Sequence, residues 1–133
     1  MLSTAFGNIT VESTVVRSGY CFLMFLPDAA KSGCIEAGTV GGGPGTPKVD
    51  PSHCETLWCC YAWPQAQGTS GNRAFFINQG KDVLACSNTS ARYNGREKRP
   101  AFTAAFRHGT TTMADMVAAN TVGNDGEKWL VVY

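Results

Sequence analysis

The chain has 133 residues, 44% of them hydrophobic, with eleven Lys and Arg against ten Asp and Glu and a formal net charge of +1. That is enough chain for one hydrophobic core and too little for two. A charge balance this close to neutral carries no footprint for nucleic acid or an acidic membrane surface. The longest apolar run, Cys21–Leu26, is strand-sized, far from the roughly 20 residues that span a bilayer.

Fifteen glycines and six prolines imply many turns between short elements. The expected fold is α+β: a single domain over residues 1–133, with an antiparallel sheet of four to five strands, short helices and a long disulfide-stapled loop. Six cysteines without a regular Cys-x-x-Cys pair point to disulfides and an oxidising compartment, hence an exported, periplasmic or extracellular protein. The opening MLSTAFGNIT has neither the basic nor the apolar region of an export leader. The two observations agree if a leader has been removed.

Along the chain, Leu2, Ala5, Phe6 and Ile9 hold a helical spacing for two turns before Gly7 and Ile9-Thr10-Val11 interrupt it. Ser18–Pro27 is the first firm strand, ended by a proline that cannot donate to a ladder. Alternation puts Tyr20, Phe22, Met24 and Leu26 on one face and Cys21, Leu23 and Phe25 on the other. Both faces are apolar, which predicts a strand covered on both sides. One helical turn is expected over Asp28–Lys31. Gly33–Pro51, containing GGGPGTP, lacks periodicity and reads as a surface loop.

Cys34 and Cys54 bracket that loop. A bridge between them closes about 20 residues, for which chain entropy suggests roughly 3 kcal/mol. Glu55–Trp63 is the second strand, with Leu57, Cys59, Tyr61 and Trp63 on one side and Trp58, Cys60 and Ala62 on the other. Arg73–Asn78 and Val83–Cys86 follow, joined by a tight turn at Gln79–Asp82. Strand proximity suggests the further pairs Cys60–Cys86 and Cys21–Cys59. Ala101–Phe106 and Met113–Ala119 are moderately helical, Asn124-Asp125-Gly126 is a turn, and Trp129–Tyr133 is a final strand. Arg92, Arg96, Lys98 and Arg99 enclose Glu97 beside Gly95 and Pro100, the pattern of a solvated loop.

No group is arranged for chemistry. His53, Cys54, Cys59 and Cys60 are close in sequence, but alternation separates the adjacent cysteines and no zinc knuckle is present. His53 and His108 are the only bases for a hydrolase, and no Gly-x-Ser-x-Gly elbow supplies a nucleophile. The run Gly41–Gly45 lacks the lysine and helix start of a phosphate loop. Trp58, Trp63 and Tyr61 offer a sugar-stacking platform, against which stands the usual role of aromatics on a central strand, namely core packing. No cofactor is expected. Asn8-Ile9-Thr10 and Asn88-Thr89-Ser90 match the N-glycosylation acceptor pattern.

The order Ser18-Gly19-Tyr20-x-Phe22, Tyr61-Ala62-Trp63-Pro64, then Gly71-x-Arg73-x-Phe75-Phe76-x-Asn78-Gln79 followed by Val83 resembles the globular heads of bacterial type IV pilin-like and pseudopilin-like proteins. The resemblance covers about residues 17–27 and 55–86. It implies a sheet packed on a long N-terminal helix that anchors the protein in the membrane, a helix this sequence does not contain. It further implies a non-catalytic role in a cell-surface filament or secretion system, with other subunits or the assembly machinery as partners. The second reading is a secreted binding module using Trp58 and Trp63, and the third a small hydrolase.

Overall fold

The computed structural model describes residues 14–35, 51–95 and 97–132. They form an antiparallel sheet of eight strands: β1 Val15–Arg17, β2 Tyr20–Pro27, β3 Gly33–Ile35, β4 Cys59–Pro64, β5 Ala74–Asn78, β6 Val83–Cys86, β7 Thr121–Val122 and β8 Lys128–Val131. Their order is β1-β2-β4-β5-β6-β8-β7, with β3 pairing the far half of β2. The single helical turn among the described residues is α1, Pro51–Cys54. No helix among them is long and apolar enough to cross a membrane.

Turn chemistry sets the hairpins. Ser18 and Gly19 both have positive φ, 52° and 80°, the mirror-image turn whose twist suits two adjoining strands. It places Arg17 opposite Tyr20 and Val15 opposite Phe22. At the β5–β6 turn, Asn78 Oδ1 accepts from the N–H groups of Gly80 and Asp82 at 3.0 and 3.1 Å, while Lys81 takes φ 64°.

The register makes the core legible as a row across the sheet. Leu23, Tyr61, Phe76, Leu84 and Val131 are successive neighbours on β2, β4, β5, β6 and β8, and the first four are almost wholly buried. Each such side chain contributes about 1.5–3 kcal/mol of transfer free energy. Residues 100–118 cover this face without forming helix. Phe102, Ala104, Ala105, Phe106, Met113 and Val117 pack onto it, and the segment folds back on itself through Arg107 N to Met116 O and Ala118 N to Ala105 O at 3.0 and 2.8 Å. The Tyr61 hydroxyl ties this cover to the sheet, donating to Phe102 O at 2.7 Å and accepting from Ala105 N at 3.0 Å.

Several expectations are corrected. The fold is almost entirely antiparallel β rather than α+β, and it has eight strands where four to five were predicted. The helices expected over Ala101–Phe106 and Met113–Ala119 are turns. Their backbone bonds are short i→i−3 contacts, such as Ala104 N to Ala101 O at 3.1 Å, or cross between the two arms. Pro100, Gly109 at φ 87° and the Thr110–Thr112 run disfavour helix there. The turn at Asp28–Lys31 is likewise not helical: Asp28 Oδ1 accepts from the N–H groups of Ala30 and Ser32 at 2.9 Å. A pilin-like head with helices and a stapled loop is therefore not the architecture described.

The disulfide set is corrected as well. Cys21, Cys59, Cys60 and Cys86 are not in disulfides. Cys21 lies opposite Trp63 and Cys59 opposite Phe25, an offset of four residues, or about 13 Å along the strands. A bridge needs Cα atoms within about 7 Å. Cys60 pairs with Ile77 and Cys86 with Ala74, so β5 intervenes and the two thiols point to opposite faces. The side chains of Cys34 and Cys54, the helical spacing over Leu2–Ile9 and the glycine run at Gly41–Gly45 lie outside the described residues.

Candidate functional site

The opposite face of the same sheet is also apolar. One row across it runs Val15, Phe22, Ala62, Phe75, Ala85 and Leu130, each the register neighbour of the next. The adjacent row runs Met24, Cys60, Ile77 and Val83. Ile77 is 39% and Leu130 49% exposed, and Phe22, Met24, Cys60, Ala62, Phe75 and Val83 are half-buried.

These two rows have relief. The central strand β4 contributes the small side chains Cys60 and Ala62. On either side, β2 raises Tyr20 and Phe22, and β5 raises Phe75 and Ile77. The result is a trough of about 440 Å³ whose accessible lining is apolar, formed by Tyr20, Phe22, Ala62, Phe75, Ile77 and Val83 among others. The walls stand two strand spacings apart, about 9.6 Å. At one end the Tyr20 ring lies 6.2 Å from Phe75, its hydroxyl donating to Arg73 O at 3.3 Å. The Arg73 guanidinium sits 5.1 Å over the Phe75 ring. Gly71 makes room for this corner: a Cβ there would fall 2.4 Å from the Tyr20 hydroxyl.

The residues singled out for chemistry do not converge. His53 is in α1 and His108 is exposed in a turn, and neither lines the trough. No group of three His, Cys, Asp or Glu side chains that could hold a metal ion occurs among the described residues. Cys59 lies in the core, where burial, with a smaller contribution from Cys60, pushes its thiol well above its ordinary range. Burial, reinforced by Glu127 and Asp125, pushes Cys86 up to about 12. Thiols held protonated in this way are poor nucleophiles.

Trp63 is wholly buried, its Nε1–H donating to Gly95 O at 2.6 Å, so it has no face for a sugar. Trp58 is half-buried beside β4, and its backbone N–H donates to Gln79 Oε1 at 3.1 Å. The pair does not form a stacking platform. Asn88 is also fully buried. Its amide donates to Asn72 O and Tyr93 O at 3.1 and 2.9 Å and accepts from Tyr93 N at 3.0 Å, so the acceptor pattern there is a loop clasp rather than a glycan site. The Asn8 pattern lies outside the described residues.

One polar cluster was missed by sequence reasoning. Asp125 accepts from Trp129 Nε1 at 3.2 Å, from Glu127 N at 2.9 Å and from the Tyr93 hydroxyl. Burial first, and then this bond to Asp125, push the Tyr93 phenol far up. Arg92 holds Glu127 alongside at 3.2 Å. Every carboxylate oxygen of Asp125 is occupied by the protein itself, which makes the cluster a latch for the last hairpin. The signal was available only as the turn residues Asn124-Asp125-Gly126.

Compared with known proteins, the chain matches no family model, no curated protein and no solved structure.

Proposed function

We propose that this protein is a non-catalytic structural subunit of an exported assembly, and that it works by packing an apolar helix of that assembly into the β4 trough. The observation that carries the reading is the shape of the outward face: small side chains down β4, large apolar ones along both flanks, and an apolar lining throughout. A bilayer or a flat sheet calls for a flat or protruding apolar surface. The flanking strands are about 9.6 Å apart backbone to backbone, narrower than the 10–12 Å of an α-helix with its side chains, so a helix would set one apolar ridge over Cys60 and Ala62 and rest on Phe22 and Phe75. From the Tyr20 corner to the Cys60–Ile77–Val83 row the lining extends four residues, about 13 Å, or roughly nine residues of helix.

The experiment is a titration of the protein into a fluorescein-labelled 18-residue Ala/Leu/Gln amphipathic helix, followed by anisotropy. Saturable one-to-one binding, competed by unlabelled peptide, is expected. Two results overturn the reading: no binding to any apolar helix, or sedimentation as a dimer that Ile77→Lys converts to monomer, which would make a second copy of this chain the occupant.

A further inference from the structure

Asn94-Gly95 is the one place in the chain where an asparagine precedes a glycine. The fold requires each residue separately. Gly95 takes φ +64°, the left-handed region that side chains rarely enter, and a Cβ there would fall 3.3 Å from Gln65 O. Asn94 supplies an acceptor, its Oδ1 taking the Gln67 N–H at 2.8 Å. The backbone of the pair is held as well. Gly95 N donates to Pro64 O at 3.0 Å, and Gly95 O accepts from Trp63 Nε1 at 2.6 Å. Asn94 N donates to Lys98 O at 3.0 Å, and Asn94 O accepts from Lys98 N at 3.4 Å. These bonds clasp the dipeptide to the end of β4.

The same dipeptide is chemically labile when nothing restrains it. The Gly95 nitrogen gives up its proton and attacks Asn94 Cγ. The new C–N bond closes a five-membered succinimide, and the side-chain nitrogen leaves as ammonia, carrying that proton. Water then opens one of the two ring carbonyls, giving aspartate or, with the main chain rerouted through Cβ, isoaspartate. Glycine favours the closure because no Cβ crowds the attacking nitrogen. In the folded chain, losing the proton ends the bond to Pro64 O, and swinging Cγ onto Gly95 N ends the one from Gln67 N. Each such bond is worth roughly a factor of two to ten. Water is at hand, since a concavity of about 290 Å³ lined by Gln65, Asn94, Gly95 and Glu97 lies beside the side chain.

We propose that Asn94 is a self-modification site gated by this clasp, spared while the clasp is closed and deamidated when the segment opens. The inference goes beyond the packing role and does not depend on it. Local opening of a segment needs less free energy than global unfolding, so the reaction reports the clasp and not the whole sheet. Its consequence is one-way. Isoaspartate lengthens the main chain between the two residues by one carbon, about 1.5 Å, which draws Gly95 O away from Trp63 Nε1. That indole is wholly buried, and its N–H would be left without an acceptor, a costly state for a buried donor. Aspartate, by contrast, keeps both the chain length and the oxygen that Gln67 N requires.

The test incubates the native protein and the guanidinium-unfolded full chain side by side in warm, mildly alkaline buffer. Conversion is read on the tryptic peptide Tyr93–Arg96, from the small mass gain when NH2 is exchanged for OH, and isoaspartate is assigned by electron-transfer fragmentation. In the unfolded chain Asn94 is expected to convert ahead of every other asparagine. In the native protein it should convert at least about tenfold more slowly, the scale of the two bonds given up. After removal of denaturant, the isoaspartate form should have a lowered urea midpoint, whereas Asn94→Asp should keep a midpoint within the range of a surface substitution. Equal rates in the two states, a faster native rate, or no conversion in either state overturns the gate. An isoaspartate chain that refolds to the wild-type midpoint refutes the one-way consequence. Failure of Asn94→Asp to fold would refute the tolerance of aspartate, while the rate comparison, made on the unaltered chain, still decides the gate.

Discussion

Replacing Tyr61 by phenylalanine removes one oxygen from the centre of the protein and leaves the packing of its ring on Phe25, Phe76 and Trp129 in place. That oxygen is the hydrogen-bond partner of two backbone groups in the segment covering the core, Phe102 O at 2.7 Å and Ala105 N at 3.0 Å. Ala105 is fully buried, so water does not readily replace the lost acceptor. An orphaned buried polar group costs about 1–3 kcal/mol. With two such groups and partial relaxation of the cover, a loss of about 2–4 kcal/mol is expected, a large share of the 5–15 kcal/mol typical of a domain. Urea unfolding followed by tryptophan fluorescence measures the loss, and hydrogen exchange at the Ala105 amide localises it. A loss below about 0.5 kcal/mol, with that amide still protected, would refute the idea that this hydroxyl ties the cover to the sheet.

The Asp125 latch makes a related prediction. Asp125→Ala strands the Trp129 indole N–H and the Tyr93 hydroxyl and is expected to cost about 2–3 kcal/mol, whereas Asp125→Asn, which keeps one acceptor oxygen, should cost less; equal midpoints for both variants and wild type would contradict this. Stability should also fall in alkali. Unfolded thiols ionise near 9.0 and phenols near 10.0, while the folded groups hold their protons higher. The unfolded state therefore binds fewer protons, and the stabilisation, complete below pH 9, is lost between pH 9 and about 12 for Cys86. Each such group contributes a slope of about 1.4 kcal/mol per pH unit, read as urea midpoints from pH 8 to 10.5; a flat profile refutes it. Iodoacetamide applied to the native protein is expected to label Cys60 well before Cys21, Cys59 or Cys86, as peptide mass mapping would show, because only Cys60 faces the trough. Equal labelling would mean that the core opens on that timescale.

Strand cores were readable from the sequence because alternation is a local property. Ser18–Pro27, Arg73–Asn78 and Val83–Cys86 come close to β2, β5 and β6, and the inward set Cys59, Tyr61 and Trp63 is buried as the pattern demands. The flanks were harder. β1, β3 and β7 are two or three residues long and owe their extended form to a neighbour, β1 through the Ser18–Gly19 turn and β3 through Leu26 and Pro27. Ala101–Phe106 was misread for a comparable reason: its alanines have helical propensity, but the Tyr61 hydroxyl and the Val117 arm claim its backbone groups, and tertiary contacts outweigh propensity. Cysteine count misled because even numbers say nothing about geometry, and Cys21, Cys59 and Cys86 serve as small apolar core residues. The trough was half legible. Apolar residues on both faces of β2 and β4 were visible in the sequence, but its relief depends on register, which sets Ala62 between Phe22 and Phe75.

The most direct test of the packing role is to fill the trough from within. Ala62→Trp points outward from β4 into the groove and leaves the core row of Leu23, Tyr61, Phe76 and Leu84 untouched. Affinity for the apolar host helix, measured by anisotropy alongside the urea midpoint of the same variant, should fall at least about tenfold while the midpoint stays within about 0.5 kcal/mol of wild type, the range of ordinary surface substitutions. Unchanged affinity, with the midpoint likewise unmoved, would show that the trough is not a docking surface.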